Sequence, residues 1–143
     1  MFGFFVEMEK QLKAKAASYF TDPSKIAMTH AFGVPHKHRG RGLATLMNTA
    51  SIKMARDLHC DYLYAHMVTP ETIHISEKTG YHVLNVDYMD ENMFVRVHQL
   101  EKGPDGEYIY PEGLRLRVEE LGRRFGDQKP RSVTVVLDLK STN

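Results

Sequence analysis

An α+β fold is predicted for this chain of 143 residues by three observations. Two apolar runs, residues 26–34 and 62–68, have the length and composition of buried strands. Between them, residues 43–58 repeat apolar side chains at helical spacing. Two later segments, 81–88 and 132–139, are rich in β-branched residues, and a second helical pattern covers 114–125. One chain of this length suits a single domain around one core.

Taken in order, the chain opens on a helical pattern, with Phe4, Met8, Leu12, Ala16 and Tyr19 or Phe20 at helical spacing, broken by Thr21-Asp22-Pro23-Ser24. Residues 26–34 follow as a strand ended by Pro35. In the helix 43–58, Leu43, Leu46, Met47, Ala50, Met54 and Leu58 form the stripe expected to face the core. His59-Cys60-Asp61 is its exit, and 62–68 is the second strand. A strand, helix and strand in this order form a right-handed crossover, so the two strands are expected to be parallel neighbours. Pro70 suits the first turn of a short helix with Thr69 as its cap, and Gly80 ends it. Residues 81–88 read as a third strand with Val83, Leu84 and Val86 on its buried side. Residues 92–100 read as a further strand. Gly103-Pro104-Asp105-Gly106 is a turn. Leu114, Val118 and Leu121 share a face of the helix 114–125, and 132–139 is the last strand.

Composition narrows the class. Hydrophobic residues make up 42% and charged residues 26% of the chain, which argues against disorder. A formal net charge of +1 gives no general drive toward nucleic acid or a membrane surface. One cysteine, Cys60, forms no intrachain disulfide and suits a reducing compartment. No apolar run has the length of a bilayer span. Residues 2–6 are apolar but lack the basic flank and cleavage site of a signal peptide, and Gly3 is not at the myristoylation position. A cytoplasmic protein is the expectation.

The most informative stretch is Val34-Pro35-His36-Lys37-His38-Arg39-Gly40-Arg41-Gly42-Leu43-Ala44. It joins a strand to a helix start through a basic, glycine-containing turn. Helix N-termini leave N–H groups without partners, and the helix dipole adds positive charge there. Gly40 and Gly42 let backbone approach an anion closely, and Arg39 and Arg41 add forked donors. These features together suit a diphosphate.

Arg39-x-x-Gly42-x-Ala44, preceded by Val34-Pro35, resembles the acetyl-CoA pyrophosphate loop of the GNAT superfamily of N-acetyltransferases. Ser76-Glu77-Lys78-Thr79-Gly80-Tyr81 is similar to that family's EK-x-G-[FY] helix ending. The two motifs occur in the family's order. The likeness covers roughly residues 25–88 and extends more loosely over the C-terminal third. The spacing of the flanking segments looks most like the arylalkylamine-type branch.

This resemblance implies that residues 1–143 form one acetyl-CoA-binding domain: a GNAT-like mixed sheet flanked by helices, N-terminally truncated. Strands 26–34 and 62–68 start together and splay apart, the pantetheine arm lies in the gap, and the pyrophosphate rests on Val34, Arg39, Gly40, Arg41, Gly42, Leu43 and Ala44. The implied activity is transfer of acetyl from acetyl-CoA to a primary amine such as an arylalkylamine or a polyamine. Amine attack on a thioester calls for a base, donors for the developing oxyanion and an acid for the departing thiolate. His30, on the first strand, is the candidate base. Ser76 occupies the position where related enzymes often carry a tyrosine, and is the candidate acid. Thr69 and Thr72 replace the Asn and Ala frequent earlier on that helix. Family members also carry several strands and helices ahead of the loop, whereas this chain has only about thirty residues there, enough for one helix and a turn. That shortfall would leave an edge strand free to pair with a second copy, so a homodimer is expected. It also supports an alternative: a catalytically impaired acyl-CoA-binding or interaction module that keeps the loop.

Blander readings compete with the other motifs. His36-x-His38 has no carboxylate or cysteine near it in sequence and reads as a surface pair, so no metal is expected. The basic run 36–41 has no second basic cluster beside it, which argues against nucleic acid. Cys60 could be a nucleophile, but a buried structural thiol is the default. The eight methionines read as core filler.

Overall fold

The computed structural model describes Lys10 and residues 21–29 and 32–140. The expected first helix and His30 lie outside the described residues. Four strands, β1 (Ile26–Thr29), β2 (Tyr62–Met67), β3 (His82–Tyr88) and β4 (Arg131–Asp138), and four helices, α1 (Leu43–Asp57), α2 (Pro70–Thr79), α3 (Glu91–His98) and α4 (Glu112–Phe125), build an α+β fold. The strands form one mixed sheet in the order β1-β2-β4-β3. β1 and β2 are the expected parallel pair across the α1 crossover, from Ile26 opposite Tyr62 to Thr29 opposite Ala65. β4 runs antiparallel to both β2 and β3.

β4 is the centre of the sheet. Its residues from Ser132 to Leu137 are all buried, the pattern of a strand covered on both faces. β2 alternates, with Leu63, Ala65 and Met67 inside. These side chains, with Val133, Val135 and Leu137, meet Ala55 of α1, Ile73 of α2 and Phe125 of α4 in the main core. A second cluster, Met89, Met93 and Phe94 with Leu114, Val118 and Leu121 against it, holds α3 to α4.

Four expectations are corrected. The described first strand is Ile26–Thr29, and residues 32–35, expected to continue it to Val34, belong to no strand. Among the described residues, the pairing of β1 with β2 runs to Thr29 opposite Ala65. Residues 92–100 are mostly helix: Asp90 caps α3 by accepting from the Met93 amide at 3.0 Å. Glu91 in its first turn and Arg96 and His98 in its last complement the dipole.

Val83 and Val86 are 58% and 41% exposed. β3 is an edge strand, and an irregularity in its pairing with β4 between Val83 and Asn85 breaks the simple alternation. The helix 43–58 is present as α1, but Leu46, Met54 and Leu58 are 63%, 64% and 69% exposed, and Asn48 and Ala55 are the buried residues. The buried face is rotated by one residue, about 100° on a helix of 3.6 residues per turn. The cause is polar. The Asn48 carboxamide donates to Thr79 Oγ1 at 3.1 Å and accepts from the Tyr81 hydroxyl at 3.0 Å, which ties α1 to the end of α2 and the entry to β3.

Candidate functional site

Ahead of α1 the chain makes a short 3-10 turn at His36–His38 and then passes through two glycines in left-handed backbone, Gly40 at φ 77° and Gly42 at φ 73°. Left-handed backbone strains any L-residue with a side chain. A Cβ built at either glycine would meet no atom within 4 Å, so the missing side chains leave open space in front of the backbone. Arg39 Nε donates to the Val34 carbonyl at 3.2 Å and closes the loop on itself.

Gly42 is the N-cap of α1 and supplies no side-chain hydrogen bond to the first turn. α2 differs: Thr69 and Thr72 form a reciprocal capping box, with the Thr72 amide donating to Thr69 Oγ1 at 3.3 Å and the Thr69 amide to Thr72 Oγ1 at 3.2 Å. The N-termini of both helices border one cavity of about 420 Å³. At α2 the first-turn amides are satisfied from within the chain. At α1 the first-turn amides stand ready for an acceptor from outside, with the positive end of a fifteen-residue helix behind them.

Val34, Arg39, Gly40, Gly42, Leu43 and Ala44, all expected at a cofactor loop, line this cavity together with Phe32, Gly33, His38 and Thr45. Arg41 is exposed and is not among the lining residues. The opposite wall comes from Thr69, Glu71 and Thr72 of α2 and from Arg124 of α4. Arg124 pairs with Glu71 at 3.1 Å. Burial works to raise the Glu71 pKa, but hydrogen bonding from its own backbone amide and the Arg124 charge outweigh it and hold the carboxyl below its ordinary value.

Ser76 is not brought to this cavity. It is 2% exposed, lies one turn beyond Thr72 on α2, and donates its hydroxyl proton to the Ile73 carbonyl at 2.7 Å. Four residues of helix advance about 6 Å along the axis, further than one Cβ–Oγ bond reaches. A tyrosine at the same place could span that turn.

A second cavity, of about 410 Å³, adjoins the first and shares Thr69 and Arg124 with it. Its floor is apolar, with Val68, Met89, Met93, Phe94, Leu114 and Leu121, and its remaining lining residues are His98, Arg117 and Glu120. Burial pushes the His98 pKa below its ordinary value, and the ring stacks on Phe94 with centroids 6.4 Å apart. Sequence reading missed this cavity, because it exists only once α3 is a helix packed on α4. No described helix is long and apolar enough to cross a membrane.

Neither a protein-family model nor a curated protein matches the chain. Solved structures do. The chain is similar to a polyamine N-acetyltransferase of Drosophila melanogaster at 16% identity and a TM-score of 0.58, over 96% of this chain and 56% of that one. It is similar to a mosquito arylalkylamine N-acetyltransferase-like protein at 12% identity and a TM-score of 0.59, over 94% and 51%. A Bacillus subtilis acetyltransferase in complex with CoA matches at 16% identity and a TM-score of 0.50, over 80% and 61%. The chain therefore spans between 51% and 61% of the length of these proteins. Its mixed sheet, parallel crossover and flanking helices are the fold of the GNAT N-acetyltransferases.

Proposed function

We propose that the chain binds acetyl-CoA at the turn before α1 and serves transfer of the acetyl group to a primary amine. One observation carries this reading: the uncapped α1 N-terminus, reached through left-handed Gly40 and Gly42, opens on a cavity lined by the residues of the loop motif. Acetyl-CoA, when bound, supplies a thioester-activated acetyl group. The amides of Leu43, Ala44 and Thr45 meet the diphosphate oxygens, and the Arg39 guanidinium, anchored to Val34, adds charge at the loop. The pantetheine arm runs through the cavity from the loop past Phe32, Gly33 and Val34 toward Thr69. In the overall reaction a carbon–nitrogen bond forms, the carbon–sulfur bond breaks, one proton leaves the attacking nitrogen and CoA departs as the thiol. His30 stands as the proposed base. Ser76 serves as acid only by way of a group between it and the cavity, since its own hydroxyl proton is held by Ile73.

The test is a thermal shift of the purified chain with acetyl-CoA, with adenosine as the control. Ligand at about a hundred times its Kd adds roughly 2.7 kcal/mol, a shift of several degrees for a domain of this size. The expected result is a shift with acetyl-CoA alone, followed by amine-dependent release of free thiol. A chain that melts cooperatively with no shift refutes the cofactor site. A shift without thiol release under a broad amine panel leaves a binding module in place of an enzyme.

A further inference from the structure

We propose that the second cavity binds an apolar α-amino acid, with its side chain on the Met89–Met93–Phe94 floor and its carboxylate on Arg117. As the acceptor site of an acetyl transfer this rests on the reading above; as a binding site it stands on its own geometry.

The cavity is of a size that holds a single small molecule and has the usual make-up of such sites, an apolar floor with a few polar groups at the edge. Those polar groups decide the ligand. Arg124 already faces Glu71 at 3.1 Å. Arg117 forms no ion pair among the described residues, so a guanidinium fork remains available for a carboxylate. Glu120, three residues on along the same helix, is the carboxylate at this rim. His98, held below its ordinary pKa by burial, adds little positive charge to oppose an amine near pH 7.

Among the described residues, and setting aside Arg124 with its partner Glu71, the rim offers one cation and one anion beside an apolar floor, the complement of a zwitterion with an apolar side chain. A polyamine would bring several ammonium groups to a rim whose described charges, outside the Arg124–Glu71 pair, are Arg117 and Glu120, so one carboxylate would face them all. An arylalkylamine would fill the floor and leave Arg117 facing nothing. The shared wall of Thr69 and Arg124 puts the amine of such a ligand next to the first cavity.

The experiment compares L-phenylalanine with phenethylamine, the same molecule without its carboxylate, by the 13C-methyl spectrum of the methionines in the intact chain. The expected result is saturable perturbation of the Met89 and Met93 methyls, with L-phenylalanine about tenfold tighter, the size of one hydrogen bond to a charged group. Arg117→Gln, an exposed position, should erase that preference and leave the melting temperature unchanged. Equal or tighter binding of phenethylamine, a preference that survives Arg117→Gln, or no perturbation at Met89 and Met93 each overturns the proposal. Running the acetyl-CoA thermal shift on the same sample separates the two readings. A shift with acetyl-CoA and no preference for L-phenylalanine refutes this inference alone. A preference for L-phenylalanine without an acetyl-CoA shift refutes the transfer reading and leaves the amino-acid site.

Discussion

Asn48→Leu puts a larger apolar side chain at a position that hydropathy alone would call surface, and the structure makes it costly. Asn48 is 3% exposed and holds two hydrogen bonds, to Thr79 Oγ1 and from the Tyr81 hydroxyl. Thr79 keeps its own bond to the Ile75 carbonyl at 2.7 Å, so losing Asn48 costs there about 1 kcal/mol, the net worth of one bond. Tyr81 is 8% exposed, and its hydroxyl would be left buried without a partner, about 1–3 kcal/mol more. The expected loss is about 2–4 kcal/mol in equilibrium urea unfolding.

Tyr81→Phe removes the stranded hydroxyl, so the double variant should lose less than the sum of the singles, with a coupling of about 1–2 kcal/mol. Leu46→Gln, on the 63%-exposed side of the same helix, should stay within about 0.5 kcal/mol of the parent. The opposite ranking, a neutral Asn48→Leu and a costly Leu46→Gln, would mean that α1 packs through its apolar stripe and would refute the rotated face. The consequence reaches the site, because the Asn48 bonds fix the rotation of α1 and hence which of its first-turn residues border the first cavity.

Two further outcomes are expected. Gly42→Val forces a β-branched residue to φ 73° and fills the open space in front of the loop, so the variant should still melt cooperatively, about 1–2 kcal/mol weaker, and lose its thermal response to acetyl-CoA; an unchanged response sinks the loop assignment. Burial pushes the Tyr81 pKa up to about 12 from an ordinary 10, so the unfolded chain releases this proton first as pH rises. The contribution is fully present below pH 10 and is lost between about pH 10 and 12, at most about 2.7 kcal/mol; Tyr81→Phe should flatten that part of the stability–pH curve, and an identical curve refutes the assignment.

Much of the fold was legible because its signals are local. Pro70 with Thr69 before it and Gly80 after it bound α2 as expected, and the parallel β1–α1–β2 unit follows from strand–helix–strand order alone. The failures have a common physical origin. In α1 the stripe of large apolar residues lost to a face of Asn48, Ser51, Ile52 and Ala55, because a satisfied carboxamide and small residues permit closer approach than leucines do. A hydropathy count scores a buried, bonded Asn as surface. In α3 the apolar residues of 92–100 read equally well as a strand, and the deciding signal was Asp90 three residues ahead of Met93, a cap that hydropathy does not register.

The same division runs through the site. The loop side of the first cavity could be read off one continuous stretch, because a glycine-bearing turn before a helix makes its binding surface from its own backbone. The far wall depends on Arg124, fifty-three residues from its partner Glu71, and no spacing rule connects the two. Ser76 shows the converse limit. A motif position can be matched in sequence and still fail to reach the cavity, because what the position needs is length, and serine has none to give. If acetyl transfer occurs here, its acid must then be sought among groups that border the shared wall of the two cavities. That wall is Thr69 and Arg124. Thr69 Oγ1 already serves the α2 cap, and a guanidinium holds its proton near neutral pH, so neither side chain is a ready donor.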